Sequence, residues 1–86
     1  MSNMETMEAT EHKLRAVFSA ALGIPPSEIN NETAYDKSKG WDSLAHMSLI
    51  SALDSEFDIM LDTDDVVELS SYGKSKEILR KYGVQI

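Results

Sequence analysis

The chain has 86 residues, of which 42% are hydrophobic and 27% charged, and its formal net charge is −7. That length supports one small domain and too little interior for a deep, enclosed active site. The absence of cysteine excludes disulfides and thiolate metal sites, so any thiol chemistry needs a thiol from outside the chain. No apolar run approaches the roughly 18 residues of a membrane span and no secretory signal is visible, so we expect a cytoplasmic protein.

Negative charge is concentrated in the middle of the chain. Residues 42–68 contain no Lys or Arg, and the eight acids among them are Asp42, Asp54, Glu56, Asp58, Asp62, Asp64, Asp65 and Glu68. Such a field repels nucleic acid and anionic membranes and favours basic protein partners. Acidity also simply keeps small domains soluble, and composition alone does not choose between the two interpretations.

Apolar spacing predicts a first helix from about Met7 to Leu22, ended by Gly23 and the prolines that follow it. Residues 1–6 lack apolar spacing and are predicted to form a disordered tail, which leaves residues 7–86 as the single domain. The residues of the predicted inner face are Leu14, Val17, Phe18, Ala21 and Leu22.

The segment from Gly23 to Trp41 is long for a connection in a compact domain. Turn-forming residues interrupt it throughout, and apolar residues punctuate it irregularly, which predicts an ordered loop pinned across a helical core. The predicted anchors are Ile24, Ile29, Ala34, Tyr35 and Trp41.

A second helix is predicted from Ser43 to Phe57, with either Asp42 or Ser43 as its N-cap. We expect His46 on its surface. Acids crowd the C-terminal end of this helix against the preference of the helix dipole, which hints at a role toward a partner. The predicted core stripe is Leu44, Met47, Ile50, Leu53 and Phe57, widened by Ala45, Leu49 and Ala52.

A short third helix is predicted from Thr63 to Glu68, and a fourth from Tyr72 to Lys81 with Gly83 as its stop. Four helices around one core make a small all-α four-helix bundle with a long first loop. The predicted packing residues of the third helix are Val66, Val67 and Leu69.

Ser43 is the candidate for chemistry. A serine at a helix start has an accessible hydroxyl, and the unpaired N–H groups there favour a phosphate group. Serine is also among the commonest N-cap residues, so position alone favours a purely structural role. The acids after Asp62 lack the Gly and Glu of an EF-hand, and residues 40–44 are not a hydrolase nucleophile elbow. We therefore predict no metal site and no catalytic residue.

The junction Gly40-Trp41-Asp42-Ser43-Leu44 and the helix after it resemble the acyl carrier protein family. The resemblance extends over nearly the whole chain, from the first helix to the last. It implies a four-helix bundle in which Ser43 carries 4′-phosphopantetheine, transferred from coenzyme A by a phosphopantetheinyl transferase, with Asp42 and Leu44 flanking the arm. Further residues that carry the resemblance are Met47, Leu49, Ile50, Leu53, Glu56, Phe57 and Ile59.

As implied by the resemblance, the chain is a monomeric carrier and not an enzyme. It would hold an acyl group as a thioester and present it to acyl-loading and acyl-accepting enzymes that dock through basic patches. The docking positions would be Met47, Ser48, Ser51 and Asp54. Two alternatives stay open: an aminoacyl or peptidyl carrier on the same arm, and an acidic helical adaptor that is never modified.

Two further expectations concern pathway and cargo. Ala45, Ser48, Ser51 and Ser55 stand where carriers of fatty acid synthesis are largely acidic or apolar, which indicates a stand-alone carrier of a specialised pathway.

A carrier also needs a shell that partly shelters its cargo. Met47 and Met60 are adaptable side chains that could line such a space, with ordinary core packing as the alternative.

Overall fold

A computed structural model describes residues 3–86, with side chains from residue 6 onward. Four α-helices follow one another along the chain: α1 Asn3–Leu22, α2 Ser43–Phe57, α3 Thr63–Glu68 and α4 Tyr72–Lys81. Residues 3–86 contain no β-strand, which confirms the predicted all-α four-helix architecture. None of the helices in this range is both long and apolar enough to cross a membrane.

Helix α1 begins four residues before its predicted start near Met7. The segment from Asn3 to Thr6 holds no Gly or Pro, so nothing in it interrupts the helix. Met1 and Ser2, the rest of the predicted tail, lie outside the described residues. At the other end Gly23 adopts a positive φ of 70° and closes the helix as predicted.

The core is built from helices, from the long loop and from the residues that flank α3. Edge-to-face aromatic contacts lie at its centre, with Phe18 packed against Trp41 and Tyr72 at centroid distances of 5.4 and 4.9 Å. Its buried apolar members are Leu14, Phe18, Leu22, Ile24, Ile29, Trp41, Leu49, Leu53, Leu61, Leu69, Tyr72, Ile78, Leu79 and Ile86.

The predicted core stripe of α2 is wrong in part. Leu44 is 80% exposed and Met47 is 66% exposed, whereas Leu49 and Leu53 are buried. Apolar residues occur on more than one side of α2, so spacing alone is consistent with two different buried faces. Packing against α1 decides which of the two is buried. Val67 of α3, predicted to pack, is likewise 76% exposed.

The long loop is ordered and pinned as predicted. Ile24, Ile29 and Trp41 are buried, while Tyr35 is 38% exposed. A short 3-10 helix at Pro26–Glu28, which was not predicted, follows the first anchor. The Arg15 guanidinium of α1 holds this part of the loop by donating to the carbonyl oxygens of Pro26 and Ile29.

The second half of the loop is bound to the start of α4. Ala34 and Ser71 form an isolated antiparallel bridge, an element that spacing did not predict. Around it the Tyr35 N–H donates to the Ser70 carbonyl at 2.9 Å, and the Tyr72 N–H donates to the Thr33 carbonyl at 2.8 Å. These bonds supply the backbone partners that an irregular segment otherwise lacks.

Gly40 lets the loop pass directly against the end of α1. Its φ is +84°, and a Cβ placed on it would lie 2.1 Å from the Leu22 carbonyl oxygen. No other residue type combines that backbone conformation with that contact. The loop therefore reaches Trp41 and the start of α2 only because residue 40 has no side chain.

We expect Gly40→Ala to lower the free energy of unfolding by about 2–4 kcal/mol, because left-handed strain adds to a backbone clash. Gly23→Ala is the matched control, since Gly23 also has positive φ but a Cβ there meets nothing within 4 Å. Its expected loss is about 1 kcal/mol. Urea denaturation of both variants measures the difference, and equal losses would contradict the close approach at Gly40.

Candidate functional site

Ser43 is the first residue of α2, and its hydroxyl is free. Asp42 is the N-cap: its backbone is extended, and its Oδ1 accepts a hydrogen bond from the Ala45 N–H at 2.9 Å. Of the two predicted caps, Asp42 is the one used. Ser43 is exposed, and within residues 3–86 its hydroxyl has no hydrogen-bond partner. The structural role of a cap therefore does not account for Ser43.

His46 is half-buried and hydrogen-bonded at both ring nitrogens, so its predicted place on the surface is wrong. The Trp41 indole N–H donates to His46 Nδ1 at 3.0 Å. Nε2 lies 2.8 Å from the Val66 carbonyl oxygen, which only accepts, so Nε2 carries the proton and donates. The rings of Trp41 and His46 are stacked at 6.0 Å. We name these three residues the Trp41–His46–Val66 bridge; it joins the loop end, α2 and α3.

Asp65 anchors the other side of α3 and is buried, at 2% exposure. Its carboxylate accepts from Lys81 Nζ and from the Tyr82 hydroxyl, both at 2.6 Å. Those two hydrogen bonds hold the pKa of the Asp65 carboxyl below its ordinary value, against the opposing effect of burial. Lys81 is the last residue of α4 and Tyr82 is its C-cap, so Asp65 ties α3 to the end of the last helix.

The exposed face of α2 beyond Ser43 carries no charge until Glu56. Its residues are Leu44, Met47, Ser48, Ser51 and Ser55. Three of the four predicted docking positions, Met47, Ser48 and Ser51, lie together on this face, next to Leu44. The concentration of acids in the middle of the sequence is therefore not reproduced on this part of the surface.

Asp54, the fourth predicted docking residue, is half-buried and has a local structural role. Its Oδ1 accepts a hydrogen bond from the Leu61 N–H at 3.0 Å, and its carbonyl accepts from Asp58 and Ile59. Asp58 caps α2 in the left-handed conformation, with φ of 53°. Asp54 and Asp58 thus hold the turn that leads into α3. This structural role explains why acids stand at this helix end, and it requires no partner protein.

Neither methionine that was predicted to line an internal space does so. Met47 is 66% exposed and Met60 is 83% exposed. The space beside the Trp41–His46–Val66 bridge is an open groove of about 280 Å³ at the surface of α3. Its lining residues are Tyr35, His46, Val66, Val67, Leu69 and Ser70.

The sequence analysis did not predict that His46 is half-buried or that Asp65 is buried. For His46 the sequence does contain a pattern that indicates burial. His46, Leu49 and Leu53 follow one another at spacings of three and four, which is one face of a helix. A histidine on a buried face needs partners for both nitrogens, and the nearby indole of Trp41 supplies one. No comparable pattern marks Asp65, because its partners are 16 and 17 residues away.

We expect Asp65→Asn to destabilise the fold most near neutral pH. A carboxyl whose pKa is lowered by folding contributes stability above its ordinary pKa of about 3.9, and that stability is lost as pH falls through the folded pKa. The difference in unfolding free energy between wild type and variant should therefore shrink below about pH 4. Denaturant titrations across pH measure it, with Asp64→Asn, an exposed neighbour, as control. A difference independent of pH would contradict the ion pair.

The comparison with protein families agrees with this geometry. A family model described as a phosphopantetheine attachment site matches residues 12–74, well over half of the chain. The match runs from α1 to the start of α4 and includes the exposed serine at the head of α2. 4′-Phosphopantetheine is accordingly the covalent prosthetic group of this protein, and the resemblance to acyl carrier proteins is confirmed. The chain belongs to the phosphopantetheine-attachment family of carrier proteins.

Proposed function

We propose that Ser43 is the residue to which 4′-phosphopantetheine is attached, and that the chain carries an acyl group on this arm between enzymes of a specialised pathway. The observation that supports it is the free, exposed hydroxyl of Ser43 at the head of α2. Because Asp42 caps the helix, modification of Ser43 removes no hydrogen bond from the fold. A transferase can reach the hydroxyl without local unfolding.

The surroundings of Ser43 suit a phosphodiester. Within the described residues the backbone N–H groups of Ser43 and Leu44 have no acceptor, as expected for the first turn of a helix. The positive end of the α2 dipole also favours an anion there. The arm supplies a thiol, on which cargo is held as a thioester. This chain contributes the serine and the helix end, and it has no cysteine of its own.

We expect a promiscuous phosphopantetheinyl transferase with coenzyme A and Mg²⁺ to add one arm per chain, seen as a single mass increase. Ser43→Ala should abolish it, whereas Ser48→Ala and Ser51→Ala, exposed serines of the same helix, should retain it. Since the chain has no cysteine, a maleimide dye should label only the modified protein.

Two results would contradict the proposal in different ways. An unmodified wild-type chain would argue against the carrier function and for the unmodified helical adaptor. Addition that survives Ser43→Ala would leave the carrier function in place and remove Ser43 as its site.

The same geometry supports a docking surface on α2. A transferase that acts on the Ser43 hydroxyl must cover the residues around it, and Met47 is one helical turn away, about 5–6 Å between Cβ atoms. Leu44 adjoins Ser43 directly. Both side chains are more than half exposed in the free protein, so a partner that covers them removes apolar surface from water. We propose Leu44, Met47, Ser48 and Ser51 as the docking face, with Asp54 at its edge.

The chemistry of this face favours partners with an apolar centre over partners that dock by basic residues alone. Acids that a basic patch could meet lie at its rim, namely Asp42, Glu56 and Asp58. Exposed serines occupy the centre beside Leu44 and Met47. The hydroxyl groups of Ser48, Ser51 and Ser55 also support a pathway other than fatty acid synthesis, because the resemblance implies acidic or apolar residues at these positions there.

We expect Leu44→Ala and Met47→Ala each to lower kcat/KM for arm transfer by about 5–30-fold, the range of a moderate interface hot spot. Met60→Ala is the matched control, because Met60 is 83% exposed but lies after α2. Its expected effect is below about 2-fold. Raising the salt concentration from about 0.1 M to about 1 M should leave the ratio of wild-type to variant kcat/KM unchanged, because salt does not screen apolar contacts. Equal losses at Met60 would contradict this docking face.

A further inference from the structure

The first turn of α2, which carries Ser43, has few contacts with the rest of the fold. Ser43 and Leu44 are exposed, and the half-buried Ala45 offers only a methyl group for packing. The first fully buried residue of α2 is Leu49. Helix ends with so little packing tend to open. Within the described residues, His46 is the residue of this turn whose side chain forms hydrogen bonds with the loop and with α3. The attachment of this turn to the bundle therefore depends on His46.

Trp41 gives His46 a fixed point to bind. The Trp41 side chain is 1% exposed and packs edge-to-face on Phe18 at a centroid distance of 5.4 Å. Its backbone carbonyl accepts from the Asp36 N–H at 2.9 Å. The hydrogen bond from its indole N–H to His46 Nδ1, at 3.0 Å, closes a ring of the chain that runs from Trp41 to His46. Ser43 lies within this ring, so its segment is anchored at both ends.

The other side of the His46 ring is held as well. Nε2 donates to the Val66 carbonyl of α3 at 2.8 Å, and the Tyr35 ring lies edge-on at a centroid distance of 5.3 Å. With a partner at each nitrogen, the imidazole has one orientation and one tautomer. Because both nitrogens are occupied, His46 is not a general base for the Ser43 hydroxyl. Its contribution is geometric.

We propose that His46 is the positioning residue of Ser43: its neutral ring holds the first turn of α2 in place, and with it the hydroxyl that receives the arm. In the transfer the Ser43 oxygen bonds to the phosphorus that carries pantetheine, and the pyrophosphate bond of coenzyme A breaks. Adenosine 3′,5′-bisphosphate leaves, and the serine proton passes to the transferase. This inference rests on the proposed function, since it takes Ser43 as the attachment site.

The arrangement requires a neutral imidazole. A protonated imidazole carries an N–H at both nitrogens, so Nδ1–H and the indole N–H of Trp41 would face each other as two donors. The bond to Trp41 is then lost, whereas the bond to Val66, in which Nε2 already donates, stays. Protonation of His46 thus opens the ring around Ser43 without detaching α3.

The titratable groups around His46 do not replace the lost bond. Tyr35 faces His46 from the loop through its ring. Asp42 uses its carboxylate to cap α2, and Asp65 of α3 directs its carboxylate to Lys81. The remaining charged residues of α3 are exposed: Asp64 and Glu68. A proton on Nδ1 therefore meets no acceptor among the hydrogen-bonded carboxylates of residues 3–86.

The test measures arm transfer to the full chain by a promiscuous phosphopantetheinyl transferase with coenzyme A and Mg²⁺. We expect His46→Ala to lower kcat by about 10–100-fold, because a nucleophile displaced by about 1 Å reacts far more slowly. KM should change by less than about 3-fold, since the exposed Leu44 and Met47 remain available for docking. Alanine is the best helix former, so weaker helix propensity does not explain a loss. His12→Gln, at an exposed histidine of α1, is the matched control and should match wild type.

Two conservative variants separate the two hydrogen bonds. His46→Asn keeps an acceptor near the place of Nδ1, and His46→Gln keeps a donor near the place of Nε2. We expect the Asn variant to retain kcat within about 3-fold and the Gln variant to lose about 10-fold. Trp41 is the single tryptophan of the chain, so one indole N–H resonance reports on the bond. It should keep its position in the Asn variant and shift in the Gln variant. If His46→Ala does not fold, this pair is the test.

A pH series adds a readout that a merely structural role would not change. The ratio of kcat for wild type to kcat for His46→Gln should fall toward about 1 between pH 8 and pH 5, the range over which histidine gains its proton. At the lower end wild type lacks the same bond as the variant. The pH dependence of the transferase itself cancels in this ratio.

The outcomes separate the two proposals. Wild-type kcat in His46→Ala, equal losses in the Asn and Gln variants, a loss confined to KM, or a ratio independent of pH each overturns the positioning role and leaves Ser43 as the site. No arm on the wild-type chain, or an arm that survives Ser43→Ala, overturns the proposed function and this inference with it.

Discussion

The burial of the Trp41 indole is the constraint on which the arrangement around Ser43 depends. A buried indole N–H needs an acceptor, and His46 Nδ1 supplies it. Because that nitrogen accepts, the ring proton lies on Nε2, which donates to the Val66 carbonyl. One buried donor thus sets the tautomer of His46 and joins the loop end, α2 and α3. Ser43 lies in sequence between the two ring-bearing residues, so its position relative to α3 follows from this contact.

Four of the eight acids of the central segment accept hydrogen bonds within the fold. Asp42 and Asp62 cap α2 and α3, Asp54 holds the Leu61 amide, and Asp65 pairs with Lys81. Each of these carboxylates satisfies a donor that would otherwise be unpaired at a helix end or a turn. Between Ser43 and Ser55 the exposed face of α2 is apolar or carries hydroxyl groups. The centre of this face is therefore uncharged, and the exposed acids Asp42, Glu56 and Asp58 lie at its rim.

A second consequence concerns the interior. The aromatic contacts of Phe18 with Trp41 and Tyr72 fill the centre of the core. The side chains that were expected to line a shelter, Met47 and Met60, face solvent instead. Leu44 and Met47 therefore leave apolar surface exposed beside Ser43.

Helix bounds and caps were predictable because they depend on neighbours in sequence. Asp62 and Ser71 accept hydrogen bonds from N–H groups three residues ahead, and Gly23 and Gly83 take the positive φ that ends a helix. The inner face of α4 follows regular helical spacing and forms a single face, with Tyr72, Ser75, Ile78 and Leu79 buried. For α2 the spacing admitted two, so Leu44 and Met47 were assigned to the core.

By itself, then, the sequence determined the four-helix architecture, the ordered loop and the serine at the head of α2, since short-range spacing and turn chemistry control all three. Tertiary structure alone decided that His46 bridges to Val66 and that Asp65 is buried against Lys81. The reason is physical: which face of a helix is covered, and which polar groups find partners there, depends on elements that are distant in sequence and adjacent only after folding.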